Sequence, residues 1–465
     1  MTTKTASFSG AFKRRRPIFD STQSRLVRAA LIALGCAVVL VGAVVIGSRP
    51  ASGATFIVLM YAVLIGGLIA VRPIVGVYIL AAFVYLNLSD ILQVDYGIQS
   101  INKVLVGLVF VSILANRLVF LKKPFIFRRT ELLLLIYFMI LLFSVFVADD
   151  RSSAFTGAVD SLKDFVIILI IIQMCDNEQA WRNLLWTILL SAALVASLSA
   201  YQMLTKDFNN TFFGLANAPV HQITSGFDSN RVTGPLSDPN YYGQILLMVL
   251  PIGLYGVLTE RRRLFRFIYL GASLAIMAAT VFTYSRGSLI ALVVVGILIV
   301  RERKLDPYKI VAGGVVILAI LLPILPPGYL DRVMTLSDVL PQNLAMQTEV
   351  SFKGRSSEMI IAVQMFADHP IFGVGYLNYQ FHYANYNALL GLDPRAGERE
   401  AHDLYLEILA ETGIIGFLAF IGILVAVFAG IQRAKRQFRN LHREDLIAPI
   451  SAIEYGLASY LATSL

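Results

Sequence analysis

The stretch GIIGFLAFIGILVAVFAGIQRAKRQFR, residues 413–439, decides the fold class. It carries no charge from Gly413 to Gln432, and then Arg433, Lys435, Arg436 and Arg439 follow in quick succession. A helix needs about 20 apolar residues to cross the hydrocarbon core of a bilayer. Lysine and arginine gather at the cytoplasmic ends of such helices. The stretch therefore predicts a membrane span, placed at 403–431, that runs inward toward its basic end. A span that long must tilt or extend beyond the lipid.

Similar runs recur from residue 26 onward. Candidate spans are 26–47, 54–71, 73–90, 101–118, 130–147, 160–174, 183–203, 239–258, 266–283, 287–300, 308–325, 403–431 and 447–465. The expected fold is an all-α, polytopic transmembrane helix bundle of about 12–13 spans. The composition agrees: of 465 residues 57% are apolar and 15% are charged, against about 45–50% and about 25% in soluble domains. That balance excludes a soluble enzyme, a disordered chain and a disulfide scaffold. Cys36 and Cys175 fall in an apolar run and at the end of another, and imply neither a disulfide nor a metal site.

Charge tests the topology independently. With Lys13, Arg14, Arg15 and Arg16 in the cytoplasm, alternating spans place most of the 39 Lys and Arg inside. The inner clusters include Arg117, Lys122, Lys123, Arg128 and Arg129, then Arg261 to Arg263 and Arg266, then Arg301, Arg303, Lys304 and Lys309, and finally Arg433 to Arg443. The net charge of +9 is thus a topology signal. No clustered basic face with aromatic readers suggests nucleic acid. The first apolar run exceeds the usual 7–15 residues of a signal-peptide core, which predicts an uncleaved anchor.

The chain divides into a basic cytoplasmic tail at 1–25, N-terminal membrane helices at 26–203 and an outer loop at 204–238. Membrane helices at 239–325, a large outer loop at 326–402 and C-terminal membrane helices at 403–465 follow. The large loop contains an interfacial helix candidate, with Met359, Val363, Phe366 and Ala367 at helical spacing opposite Glu358, Gln364 and Asp368. It is too short to span, Pro370 stops it, and it is expected to lie along the membrane surface over a cavity.

Polar residues gather at the outer boundary. In the segment from Asn230 to Asn240, Gly234 and Pro235 fix a turn, and Asp238 with Pro239 reads as helix-start chemistry. Arg231 has no capping use, and an arginine beside a helix N-terminus makes an anion site. Tyr284-Ser285-Arg286-Gly287-Ser288 forms an outer tip between two runs. Its arginine either snorkels to headgroups or marks a substrate route. Arg355 either binds an anion or pairs with Glu358 at i,i+3. His402 opens the span at 403–431, ahead of Glu407, Glu411, Thr412, Gly413 and Gly416. A histidine there either caps the helix or, held neutral by the dipole, takes a proton from a hydroxyl. No pair of histidines has ligand spacing, and no nucleotide-binding loop is visible.

Four pieces in order complete the pattern: RVTGPLSDPNYYG at 231–243, TYSRGSLIAL at 283–292, GRSSEMIIAVQMFADHPIFGVG at 354–375 and AHDLYLEILAETGIIGFLAF at 401–420. Together they resemble the O-antigen ligase and polymerase superfamily over roughly residues 200–420. The resemblance implies a glycosyltransferase at the outer, periplasmic face of the bacterial inner membrane. Its donor would be an undecaprenyl-pyrophosphate-linked glycan, and its acceptor a hydroxyl on the lipid A-core glycolipid or on another lipid-linked repeat. It also implies catalysis without a metal or other cofactor. By motif, the functional residues fall on Arg231, Arg286 and His402, accompanied by Arg355, Asn240 and Tyr284 as substrate-binding candidates. Ligase is the leading expectation, with an O-antigen or exopolysaccharide polymerase as the alternative. A transporter or flippase for lipid-linked glycans is the rival from another class. Transporters commonly show inverted repeats and helices broken at midplane, and the sequence shows no internal symmetry. Family chains commonly carry a further span beyond the stretch resembling 447–465.

Overall fold

A computed structural model describes residues 65–97, 101–120, 127–224, 227–303, 350–392 and 399–464, with residues 125, 306 and 308. The expected spans at 26–47 and 308–325, and most of 54–71, lie outside these residues. The described helices are α1 (Pro73–Tyr85), α2 (Leu88–Val94), α3 (Ile101–Leu114), α4 (Arg129–Ser144), α5 (Arg151–Met174) and α6 (Glu178–Thr205). Then come α7 (Pro239–Thr259), α8 (Arg263–Phe282), α9 (Arg286–Arg303), α10 (Val350–Asp368), α11 (Tyr379–Leu390), α12 (Leu404–Asn440) and α13 (Glu444–Thr463). One antiparallel hairpin, β1 (Val220–Thr224) with β2 (Phe227–Asn230), precedes α7.

The protein is an all-α, multi-pass membrane protein. Among the described residues, six helices are long and apolar enough to cross a bilayer: Ile101–Leu118, α6, α7, α8, α12 and α13. The expected spans at 130–147, 160–174 and 287–300 are helices too, but each departs from a plain apolar span. α4 has only 16 residues. α5 starts earlier than expected, at Arg151, and carries Asp160, Lys163 and Asp164. α9 ends on Arg301, Glu302 and Arg303. The expected span at 73–90 is interrupted, because Asn87 adopts a left-handed φ of 50° between α1 and α2.

The chain forms two compact units. In the first, α1, α3 and the second half of α5 share a core of Val77, Leu80, Leu105, Val106, Val109, Ile113 and Ile170. Arg117 is buried there and donates to the Gln173 carbonyl at 2.6 Å.

The second unit holds α7 to α13, and α7 is central to it. α13 packs along α7 because Gly456 has no Cβ to collide with the Met248 carbonyl. α8 and α9 also pack on α7. On α9, Ser288, Ala291, Val295 and Ile299 face inward, while Ile290, Val293, Val294 and Ile297 stay exposed. An apolar stripe left open at helical spacing is what a lipid-facing helix requires.

The two ends of this unit differ in chemistry. At one end Lys435 is buried and pairs with Glu454 and, at 3.3 Å, with Glu302. Glu302 also accepts from Ser451 Oγ at 2.6 Å and from the Tyr255 hydroxyl. The Arg303 guanidinium lies 5.0 Å above the Tyr255 ring. This network joins α7, α9, α12 and α13 at the end where the sequence places its cytoplasmic cations. A buried lysine is tolerable here because carboxylates neutralise it. The opposite end carries the four motifs.

Candidate functional site

The first motif is assembled on the start of α7. Asp238 caps the helix by accepting from Tyr241 N at 2.7 Å, and Pro239 takes the first helical position. Upstream, Thr233 N donates to the Asn217 carbonyl at 2.8 Å and Arg231 N to the Pro219 carbonyl at 3.1 Å. Val232 N reaches the Phe282 carbonyl at 3.2 Å, so the segment lies against the end of α8. Arg231 is buried at 6% exposure. Its Nε donates to the Thr283 carbonyl at 2.7 Å and its Nη2 to Asn240 Oδ1 at 2.9 Å. Arg231 and Asn240 are therefore in direct contact, and the guanidinium joins the first motif to the second.

The second motif is a tight reversal between α8 and α9. Tyr284 is buried with a left-handed φ of 54°. Ser285 receives the Ser288 N–H on its hydroxyl at 3.3 Å and the Leu289 N–H on its carbonyl at 3.1 Å. This cap makes Arg286 the first residue of α9, half-buried. Its charge thus sits at a helix start, a few residues along the chain from the carbonyl that holds Arg231.

The third motif removes one of the two readings of Arg355. α10 exists and ends before His369 and Pro370. However, Glu358 does not pair with Arg355 and does not face outward. It is 1% exposed, and its Oε1 accepts from Arg399 Nη1 at 3.1 Å. Arg355 is exposed. The buried face of α10 is Ile361, Ala362 and Met365, packed with Tyr379 and Tyr383. The stripe of Met359 and Val363 is the exposed one. The reason is electrostatic: Arg399 arrives from the chain ahead of α12 and neutralises Glu358 inside.

The fourth motif opens α12. His402 has a left-handed φ of 50° and is exposed. The cap is Asp403, which accepts from Tyr405 N at 3.0 Å and Leu406 N at 2.9 Å. Leu404 N donates to the Ser464 carbonyl at 2.9 Å, and the Tyr405 hydroxyl to the Leu461 carbonyl at 2.9 Å. Gln244 of α7 donates to the neighbouring Thr463 carbonyl at 2.6 Å. The end of α13 thus bridges the first turns of α7 and α12. A continuous set of contacts runs from Arg231 through Asn240, α7 and Thr463–Ser464 to Leu404, two residues from His402.

α12 is not one straight span. Gly413 breaks it at φ 62° and ψ −165°. The loop after His369 and Pro370 fills the break: Val374 N donates to Ala410 O at 2.9 Å, Gly375 N to Glu411 O at 3.0 Å, and Ile414 N to Pro370 O at 2.9 Å. Glu411 is buried and accepts from Tyr379 N at 3.2 Å. The Gly-x-Gly of the third motif and the Glu-Thr-Gly of the fourth are two halves of one joint. Sequence reasoning missed this joint, the Glu358–Arg399 pair and the cap at Asp403. The available signals were Gly413 inside an apolar run and Asp403 directly before a helical pattern.

Residues 271–421 match the family model described as O-antigen ligase. Over that stretch, about a third of the chain, the protein is similar to the O-antigen ligase family. That segment holds the second, third and fourth motifs, with Arg286, Arg355 and His402, and it ends just beyond the Gly413 break. Arg231 and Asn240 lie before the matched O-antigen ligase segment and reach it through Thr283. No curated protein matches the chain.

Proposed function

We propose that this protein is an O-antigen ligase-type glycosyltransferase of the inner membrane, working at its periplasmic face. It moves a glycan from an undecaprenyl-pyrophosphate carrier to a hydroxyl of the lipid A-core acceptor. The observation that supports it best is the Arg231 bridge. One buried guanidinium holds Thr283 and Asn240 together, and Thr283 stands three residues ahead of Arg286, the first residue of α9. Two permanent cations, one held against the start of α7 and one opening α9, suit a pyrophosphate leaving group.

In this reading the acceptor oxygen attacks the anomeric carbon as the bond to the pyrophosphate oxygen breaks. His402 takes the hydroxyl proton, and the arginines stabilise the negative charge that stays on the carrier. Attack from the side opposite the leaving group inverts the anomeric centre. The cap at Asp403 supports this role for His402, since capping does not require the imidazole. Arg355, Asn240 and Tyr284 complete the proposed contacts to donor and acceptor.

The test is a glycolipid profile of the source strain lacking this gene, complemented by wild type, His402→Ala or Arg286→Ala at equal membrane levels. Long glycan stranded on the carrier is expected, and neither variant should restore transfer. Loss of a general base typically costs about 10²–10⁴-fold. Single repeats on the final acceptor would instead identify a polymerase. Full restoration by both variants would remove the assigned roles.

A further inference from the structure

Three anchors hold the short turn that presents His402. Ala401, 1% exposed, packs with Ile361, Tyr379 and Tyr383. Asp403 caps α12, and Leu404 N binds the Ser464 carbonyl. The third anchor is ionic: Arg399 Nη1 on Glu358 Oε1 at 3.1 Å. It brings an arginine against a buried carboxylate beside the apolar residues Ile361, Ala362 and Met365.

Its geometry is informative. Glu358 is buried, and its peptide carbonyl accepts from the Tyr379 hydroxyl at 2.7 Å. That second bond fixes the backbone beneath the carboxylate. Among the described residues Glu358 Oε2 has no hydrogen-bond partner and Arg399 is the cation that pairs with Oε1. Arg399 keeps 28% of its side chain exposed, three residues ahead of His402. For stability alone, apolar side chains like those of Ile361 and Met365 on the same face would serve as well, since buried ion pairs replaced by hydrocarbon are often neutral or better. What a buried pair adds is a single permitted arrangement. The residue being arranged has a left-handed φ of 50°, which a non-glycine residue holds only when its surroundings impose it.

We propose that Glu358 is a positioning residue that acts through Arg399 to hold the 399–403 turn, and with it the His402 imidazole, in its working orientation. This rests on the assignment of His402 as the group that takes the acceptor proton. Neither Glu358 nor Arg399 touches the reacting atoms in this arrangement.

The experiment uses the full chain, purified in detergent, with the polyprenyl-linked glycan that the deletion strain accumulates and the acceptor glycolipid of that strain. kcat, KM for the donor and the thermal midpoint are measured for wild type, Glu358→Gln, Arg399→Gln, Arg399→Lys and the double Gln variant. kcat per folded molecule should fall about tenfold to a hundredfold in either Gln variant, since small misplacements of a catalytic group cost that much. KM for the donor should stay within about twofold, because uniform binding is untouched. The double variant should be no slower than the slower single, as two residues acting as one unit predict. Arg399→Lys should recover part of the rate by keeping the charge. If Glu358→Gln does not fold, the Arg399 pair of variants carries the comparison, being on the partly exposed side. A kcat per folded molecule equal to wild type in Arg399→Gln would overturn the proposal, as would a donor KM that rises in step with the loss of rate. His402→Ala separates the two levels. Full activity in that variant would remove the assignment beneath the proposal. An inactive His402→Ala beside fully active Arg399→Gln would remove the positioning role alone.

Discussion

A histidine directly ahead of a helix is often there to satisfy the first N–H groups, and in α12 that work falls to Asp403. The carboxylate accepts two N–H bonds, a cap of a kind worth about 1 kcal/mol. Arg231 shows a different use of a side chain, because its guanidinium spans Thr283 and Asn240 and so joins the end of α8 to the start of α7. A lysine could supply the charge but not the fork. His382 of α11 offers a residue-scale test by pH. Burial, helped by nearby His369, holds its imidazole below the usual histidine range, against the opposing pull of Asp149 at 3.4 Å. A histidine with a depressed pKa contributes stability that is present above its unfolded pKa of about 6.5 and is lost as pH falls. Between about pH 7 and pH 5 this group therefore lowers the thermal midpoint of the wild type relative to that of His382→Gln. The difference between the two midpoints should shift against the wild type over that interval. An identical change in both proteins would show that His382 does not carry the effect.

At the scale of elements, the joint between the 369–375 loop and the break in α12 is the feature with the sharpest sequence requirement. Gly413 combines a φ of 62° with a missing Cβ that would otherwise collide with the Ile371 carbonyl. Gly413→Ala should therefore destabilise the protein by about 1–3 kcal/mol from backbone strain alone, with the clash added. The measurement is thermal unfolding in detergent, with Gly430→Ala as the control, since Gly430 has open space around its Cβ position. Equal midpoints in the two variants would mean that the break carries no strain. This joint also shows what could and could not be read in advance. Span positions were legible because apolar length and flanking cations are local properties, as at α7, α8 and α13. The cap at Asp238 was legible for the same reason. The pairing of Glu358 was not, because its partner Arg399 is 41 residues away along the chain and a nearer cation, Arg355, satisfied the local pattern. The break in α12 was hidden by the strength of the apolar run that follows it. The four site motifs were visible as strings, but their contacts depend on Thr463 and Ser464, which carry no motif at all.

For the molecule as a whole, the second unit separates two kinds of charge. Lys435, Glu302 and Glu454 neutralise one another at one end, among the basic residues Arg301, Arg303, Arg433, Arg436 and Arg439. At the other end the tips of α7 and α13 link Arg231 to Leu404, two residues after His402, and Arg286 opens α9. The part of α12 after Gly413 runs to Asn440, a rise of about 40 Å, which exceeds the roughly 30 Å hydrocarbon thickness. A helix of that length reaches from one side of the bilayer to the other, and the excess of lysine and arginine at its Arg439 end supports the proposed orientation, with that end toward the cytoplasm. A labelling experiment tests that orientation without any substrate. In a chain with Cys36→Ser and Cys175→Ser, single cysteines are placed as His402→Cys or Arg439→Cys, both at exposed positions. A membrane-impermeant maleimide added to spheroplasts should modify the first and leave the second until the membrane is opened. The opposite pattern would turn the site toward the cytoplasm, where a carrier-linked glycan already moved to the outer leaflet could not reach it, and the proposed transfer would fall with the topology.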